Sequence, residues 1–142
     1  MKLDRRDILI GRISDGNDSV QVGDNSNKTI LVRGCDPEMG RRAIELLPPI
    51  LGNPEMLSVT NDDAFITELK RKKWTVVHFA PGACRYDAAK SPIPGSSSLT
   101  EGWGLVEYRK LVQKYQGEEI KIVQTSDERQ IIPLLRKALK TH

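Results

Sequence analysis

Side chains that can do chemistry concentrate in one long loop, residues 81–103. The loop carries a thiol at Cys84, a carboxylate at Asp87 and positive charges at Arg85 and Lys90. Loops of this length inside a compact domain are uncommon and are often functional. A thiol next to a cation ionises more readily, so Cys84 is a candidate catalytic residue. Asp87, the carboxylate of the same loop, is the second candidate. A surface ion pair between Arg85 and Asp87 is the structural alternative.

The second half of the loop is rich in hydroxyl groups, which can hold a phosphate or a carboxylate together with backbone amides. The cations earlier in the loop would supply matching charge, and a glycine after the strand allows close approach of a ligand to the backbone. We therefore predict a binding site for a small anionic molecule, a nucleotide or a phosphorylated metabolite. Its ligand-binding residues would be Gly82, Arg85, Lys90, Ser96, Ser97, Ser98 and Thr100. The structural alternative is a surface loop of small polar residues.

The elements around this loop alternate between strand and helix. Apolar, β-branched runs predict strands at 28–33, 56–60, 75–80 and 119–124, and helical stripes separate them. Such alternation produces right-handed crossovers and a mainly parallel sheet sandwiched by helices, an α/β fold. Ligands of these sheets bind beyond the carboxyl ends of the strands, which is where the long loop begins.

The domain organisation is a single unit, residues 1–142. Residues 1–34 read as an antiparallel β meander that enters the sheet at one edge, and residues 35–142 alternate helix and strand. An exposed edge of that meander could pair with a second copy of the chain to form a homo-oligomer.

Several residues predict where the helices begin and end. Asp36 with Pro37, and Asn61, would cap two helices, and Gly117 would end a third. Pro48 and Pro49 are expected to limit the first helix, and Pro133 to kink or split the last. Thr125 and Glu128 have the spacing of a capping box. These positions are Asp36, Pro37, Pro48, Pro49, Asn61, Gly117, Thr125, Glu128 and Pro133.

Composition restricts the classes of function. The 142 residues are 38% hydrophobic and 29% charged with a net charge of +3, which is typical of a globular chain. The basic run at 70–73 reads as a solvated helix end, so a nucleic-acid partner is not expected. There is no apolar signal core and no membrane-length apolar run, and the cysteines Cys35 and Cys84 form no disulfide framework. We therefore expect a cytoplasmic protein without a membrane partner and with both thiols free.

Motifs for specific cofactors are absent from the sequence. No glycine-rich nucleotide fingerprint occurs, no second cysteine completes a C-x-x-C pair with Cys84, and His78 and His142 lack metal-ligand spacing. The cofactor is therefore unknown, and no metal site is predicted. His78, in the middle of an apolar strand, is expected to be a buried structural side chain.

Three hypotheses of function remain open. The first is a small domain that binds an anionic small molecule at the loop after the 75–80 strand, with or without catalysis. The second is a thiol-based redox or sensor protein centred on Cys84. The third is a noncatalytic protein-interaction module that uses the long loop or the β edge.

Overall fold

A parallel sheet forms the centre of the molecule. The computed structural model describes residues 23–80, 97–101, 103–125 and 127–140. Within them, the strands are β1 (Thr29–Arg33), β2 (Glu55–Val59), β3 (Val76–Phe79) and β4 (Lys121–Gln124). Their order is β2-β1-β3-β4, and every neighbouring pair is parallel. The predicted parallel sheet is confirmed, with strand bounds that differ by one or two residues.

The predicted antiparallel meander is not shown. Residues 1–22 lie outside the described residues, and residues 23–28 form a turn that leads into β1. Asn25 ties this turn to the rest of the protein, because its backbone amide donates to the Gly52 carbonyl at 2.8 Å and its side chain donates to the Leu51 carbonyl at 2.7 Å.

Helices cover both faces of the sheet. In the described chain they are α1 (Pro37–Leu51), α2 (Asp62–Arg71), α3 (Leu105–Gln116) and α4 (Ile131–Lys140), the last preceded by a 3₁₀ turn at Glu128–Gln130. Helices α1 and α4 contribute to one core, and α2 and α3 contribute to the other. This is the α/β sandwich that the alternation of elements predicts.

The two cores follow from the alternation of side chains along the central strands. In β1, Leu31 points toward α2 and α3, while Ile30 and Val32 point toward α1 and α4. In β3, Val77 points toward α2 and α3, and Val76 points toward α1 and α4. Because β1 and β3 are covered on both faces, they read as continuous apolar runs, as strands of a parallel sheet do.

The predicted caps of α1 and α2 are confirmed. The Asp36 carboxylate accepts from the Glu38 amide at 2.9 Å, and the Asn61 side chain accepts from the Ala64 amide at 2.8 Å. Gly117 ends α3, as predicted, and its amide donates to the Gln113 carbonyl at 2.8 Å.

The expected end of α1 at Pro48 and Pro49 is wrong, because the helix continues to Leu51. Proline keeps a helical φ, but each proline removes an amide donor and its ring crowds the carbonyl four residues earlier, so other contacts must offset the cost of the pair. Burial of Leu51 and the hydrogen bonds from Asn25 favour the extra turn. The helix ends at Gly52, which has a left-handed φ of 87°.

The start of the last helix also differs from the prediction. Asp127, rather than Thr125 with Glu128, caps this segment, and the Thr125 hydroxyl accepts from the Asp127 amide at 3.0 Å. The split expected at Pro133 is wrong, because α4 runs through this residue and the 3₁₀ turn ends at Gln130, before α4 begins. Pro133 is the third residue of α4, where a missing amide proton costs no helical bond.

Candidate functional site

The strand order creates a topological switch point at the carboxyl edge of the sheet. The connection from β1 leads to β2 on one side, and the connection from β3 leads to β4 on the other. The two connections therefore diverge beyond Gly34 and Ala80, and such a switch point is the usual ligand site of an open parallel sheet. The predicted loop starts here, because residue 81 directly follows Ala80.

A buried polar cluster lies at this edge of the sheet, where Arg33 ends β1 and Asp62 begins α2. It consists of Arg33, Asp62, Thr100 and Tyr108, each with no exposed surface, and we call it the Asp62 cluster. Arg33 Nε and Nη2 lie 2.9 and 2.8 Å from Asp62 Oδ1. The hydroxyls of Thr100 and Tyr108 donate to Asp62 Oδ2 at 2.5 and 2.6 Å. Arg33 Nη1 also donates to the Gly34 carbonyl.

The Asp62 cluster is a structural anchor. Four donors surround one carboxylate, so the desolvation of the buried charge is compensated by hydrogen bonds on both oxygens. Burial, together with the hydrogen bond to Asp62, raises the pKa of Tyr108 above its usual value, so its phenol stays protonated as the donor.

Arg33 connects both ends of the predicted loop. Its carbonyl accepts from the Ala80 amide at 3.0 Å, which fixes the end of β3. Its guanidinium binds Asp62, and Asp62 binds Thr100, which fixes the returning chain. The segment between residues 80 and 97 therefore leaves and returns at the switch point.

The chain then enters α3 through a second fixed point. Trp103 precedes the cap residue Gly104, and its ring packs edge-on against Tyr108 at 5.4 Å, the positions of a hydrophobic staple. Glu107 accepts from the Gly104 amide at 2.8 Å, and this bond lowers the pKa of the Glu107 carboxyl. Trp103 thus holds the loop end against the core.

The predicted ligand-binding residues fall into two groups. Ser97 is half-buried and Ser98 is exposed, whereas Thr100 is buried with its hydroxyl bonded to Asp62 and to the Ser97 amide. The other predicted residues, both candidate catalytic ones included, lie outside the described residues. They are Gly82, Cys84, Arg85, Asp87, Lys90 and Ser96.

Sequence reasoning missed a cation at this edge, Arg109. It lies in the second turn of α3, is half-buried, and donates from Nη1 to the Gln124 side chain at 2.9 Å. In the described ranges no carboxylate forms an ion pair with it. A cation near a helix N-terminus opposes the helix dipole, and this position was a signal available in the sequence.

Most described carboxylates at this edge are already used. Asp36 and Asp127 cap helices, and Asp127 also binds Arg129, which lowers the pKa of the Asp127 carboxyl. Asp62 is enclosed by its four donors. Cys35, a free and half-buried thiol, lies between Gly34 and the α1 cap. Among the described residues, Arg109 is thus a cation at this edge without an ion-pair partner.

Among the described residues, no group of three or more His, Cys, Asp or Glu side chains is arranged to hold a metal ion. No helix in the described ranges has the length and apolar character needed to cross a membrane. Comparison with protein-family models, with curated proteins and with solved structures finds no match.

Proposed function

We propose that this domain binds a small anionic molecule, a nucleotide or phosphorylated metabolite, at the switch point between β1 and β3. The observation that carries the proposal is the attachment of both ends of the 81–96 segment to Arg33. Ala80 binds the Arg33 carbonyl, and Thr100 reaches its guanidinium through Asp62. The residues on both sides of the chemically rich segment are therefore tied to the switch point, and parallel sheets generally bind ligands at such a point.

The sign of the ligand charge rests on the available cations. Arg109 stands at the same edge without an acidic partner among the described residues, and Arg85 and Lys90 belong to the attached segment. Asp36 and Asp127 are engaged as helix caps and Asp62 is enclosed by its donors, so these three carboxylates do not cancel the positive charges. Guanidinium groups suit phosphate and carboxylate through paired, charge-assisted hydrogen bonds.

The test is a thermal-shift screen with nucleoside phosphates and phosphorylated sugars, followed by calorimetry on each compound that stabilises the protein. Arg85→Ala and Arg109→Gln should each weaken binding by about 1.5–3 kcal/mol, or roughly 10- to 150-fold, as expected for a hydrogen bond to a charged group. Arg129→Ala is the matched control, because Arg129 is 88% exposed at the same edge but pairs with Asp127.

Two outcomes would contradict the proposal. In the first, no anionic compound raises the melting temperature. In the second, Arg129→Ala weakens binding as much as the other two variants, which would indicate general charge attraction rather than a site.

Catalysis at this site is a separate hypothesis that rests on Cys84 and Asp87. Cys84→Ser that keeps ligand affinity but loses turnover would support a catalytic thiol. The redox alternative predicts that Cys84 reacts with iodoacetamide much faster than Cys35 does, since a sensor thiol is ionised at neutral pH. Equal, slow alkylation of both thiols would argue against the redox alternative.

A further inference from the structure

The face of the sheet that α1 and α4 cover carries two polar side chains near its carboxyl edge. The strand register places Ser58 and His78 on either side of Val32, in the last row of this face before the strands end. Ser58 lies against α1, because a Cβ on Gly40 would overlap its Oγ. The rest of this layer is an apolar core, so two polar groups within it require an explanation.

The hydrogen bonding of His78 leaves one ring nitrogen unused. The Val123 carbonyl can only accept, so Nδ1, 3.2 Å away, carries the proton. Burial lowers the pKa of the ring to about 4, so the ring is neutral at neutral pH and Nε2 keeps a lone pair. Nε2 has no hydrogen bond to any residue that the structure describes, although His78 is only 3% exposed. In the same ranges, Ser58 Oγ is buried without a partner.

Space for a polar group lies next to these side chains, toward the carboxyl edge. The next position of this face is Gly34 after β1 and Ala80 after β3, two of the smallest residues. Of the described atoms, a Cβ built on Gly34 would have only the Ala80 Cβ within 4 Å, at 3.8 Å. The φ of Gly34 is not left-handed, so the backbone itself does not require glycine there. We call the space above Val32 that Gly34, Ala80 and His78 border the Gly34 recess.

The Gly34 recess suits an uncharged group that carries a hydroxyl, rather than the anion itself. An unprotonated Nε2 repels phosphate oxygens, which also carry lone pairs, but it accepts a hydrogen bond from a hydroxyl. A charge placed among neutral, buried side chains such as His78 and Val32 would also lose its hydration without compensation. The anionic group of a ligand would therefore stay at the edge of the sheet, where the cation Arg109 lies.

We propose that the sugar of a ribose phosphate enters the Gly34 recess and donates a hydrogen bond from one of its hydroxyls to His78 Nε2. This inference rests on the proposed function and narrows its ligand, because ribose phosphate is common to nucleotides and to many phosphorylated sugars. His78 is then a residue that determines specificity. Position 34 is a glycine because a larger side chain would take the place of the sugar.

Calorimetry on the full chain with ribose 5-phosphate and with inorganic phosphate tests the proposal. Gly34→Val fills the recess and should weaken the binding of ribose 5-phosphate at least ~10-fold, with a smaller loss for Gly34→Ala, the graded control. His78→Phe removes the acceptor and should weaken this binding roughly 3- to 10-fold, as expected for one neutral hydrogen bond. Inorganic phosphate does not reach the recess and should bind every variant equally. Urea denaturation verifies that the variants are folded and that Gly34→Val is as stable as the wild type.

Three outcomes would overturn this proposal alone. In the first, Arg109→Gln weakens the binding of ribose 5-phosphate but Gly34→Val and His78→Phe do not. In the second, the Gly34 and His78 variants weaken inorganic phosphate as much as ribose 5-phosphate, which would place the anion rather than the sugar in the recess. In the third, Gly34→Val is clearly less stable than the wild type, which would mean that the chain itself fills the recess. If no anionic compound binds the wild type, the proposed function fails and this inference fails with it.

Discussion

At the scale of single residues, the Asp62 cluster joins side chains that are far apart in the sequence. Arg33 ends a strand, Asp62 begins a helix, and Thr100 belongs to a loop. Their contacts join positions 29 to 46 residues apart in the chain. The cluster therefore links the end of β1 to Thr100, near the returning end of the long loop.

Replacing Thr100 with valine tests how strongly the cluster holds the loop. Valine keeps the shape of the side chain but removes one donor to Asp62 and the acceptor for the Ser97 amide. Leaving buried polar groups without a partner should cost about 1–3 kcal/mol of unfolding free energy. Thr67→Val is the control, because that hydroxyl is exposed on α2, and surface changes stay within about 0.5 kcal/mol. Equal effects in urea denaturation would contradict the anchoring role.

His78 should make stability depend on pH. The ring is 3% exposed, its Nδ1–H donates to the Val123 carbonyl at 3.2 Å, and burial lowers the pKa from 6.5 to about 4. Below pH 6.5 the unfolded chain therefore binds a proton that the folded protein does not bind until about pH 4. As the pH is lowered from 6.5 to about 4, the free energy of unfolding should therefore fall by about 3 kcal/mol in total.

The measurement is urea denaturation at several pH values with His78→Asn as the reference. Asparagine keeps a donor near the Val123 carbonyl but does not titrate, so the difference between the two proteins isolates the histidine from the carboxyl groups. A constant difference between pH 6.5 and pH 4 would show that His78 is not responsible.

At the scale of elements, the end of α1 shows how a distant contact sets a helix boundary. The helix passes through two prolines that local rules treat as a stop, and it ends where Gly52 meets the turn before β1. A side chain at Gly52 would have its Cβ 2.1 Å from the Gly23 carbonyl oxygen. The close approach of Gly23 and Gly52 therefore requires glycine for space as well as for its φ.

Gly52→Ala and Asn53→Ala separate these two requirements. Both place alanine at a left-handed position, with φ of 87° and 65°, but Asn53 is exposed. Asn53→Ala should cost about 1 kcal/mol of unfolding free energy, the order of left-handed strain. Gly52→Ala should cost clearly more, because it also displaces residues 23–25. Equal costs for both variants in urea denaturation would mean that the contact with Gly23 adds nothing.

At the scale of the whole molecule, positive charge gathers at the end of the sheet opposite the predicted site. The basic run at 70–73 follows α2, and Lys73 Nζ donates to the Tyr115 carbonyl at 3.0 Å in the last turn of α3. Lys72 lies 4.6 Å from the ring of Trp74 and 3.3 Å from Glu55. These contacts explain the run as a set of helix-end interactions.

A cleft of about 320 Å³ lies at the same end, lined by residues that include Lys73, Trp74 and Gln116. The side-chain amide of Gln116 is already engaged, because it donates to the carbonyls of Leu69 and Lys72 and accepts from the Trp74 amide. The cations and the Gln116 amide at this end of the molecule therefore already have partners within the protein. The proposed ligand site depends instead on the few cations at the other edge.

Local chemistry was enough to predict the elements and their parallel arrangement. Strand runs and the caps Asp36 and Asn61 depend on neighbours within a few residues, so they are visible in the sequence. The order β2-β1-β3-β4, the Asp62 cluster and the exposure of Met39 and Leu46 on α1 were decided by the tertiary structure. Each depends on which surfaces meet after distant segments pack, and spacing along the chain does not contain that information. Met39 and Leu46 show this most clearly, because they have the same helical periodicity as residues that face the core, yet both are exposed.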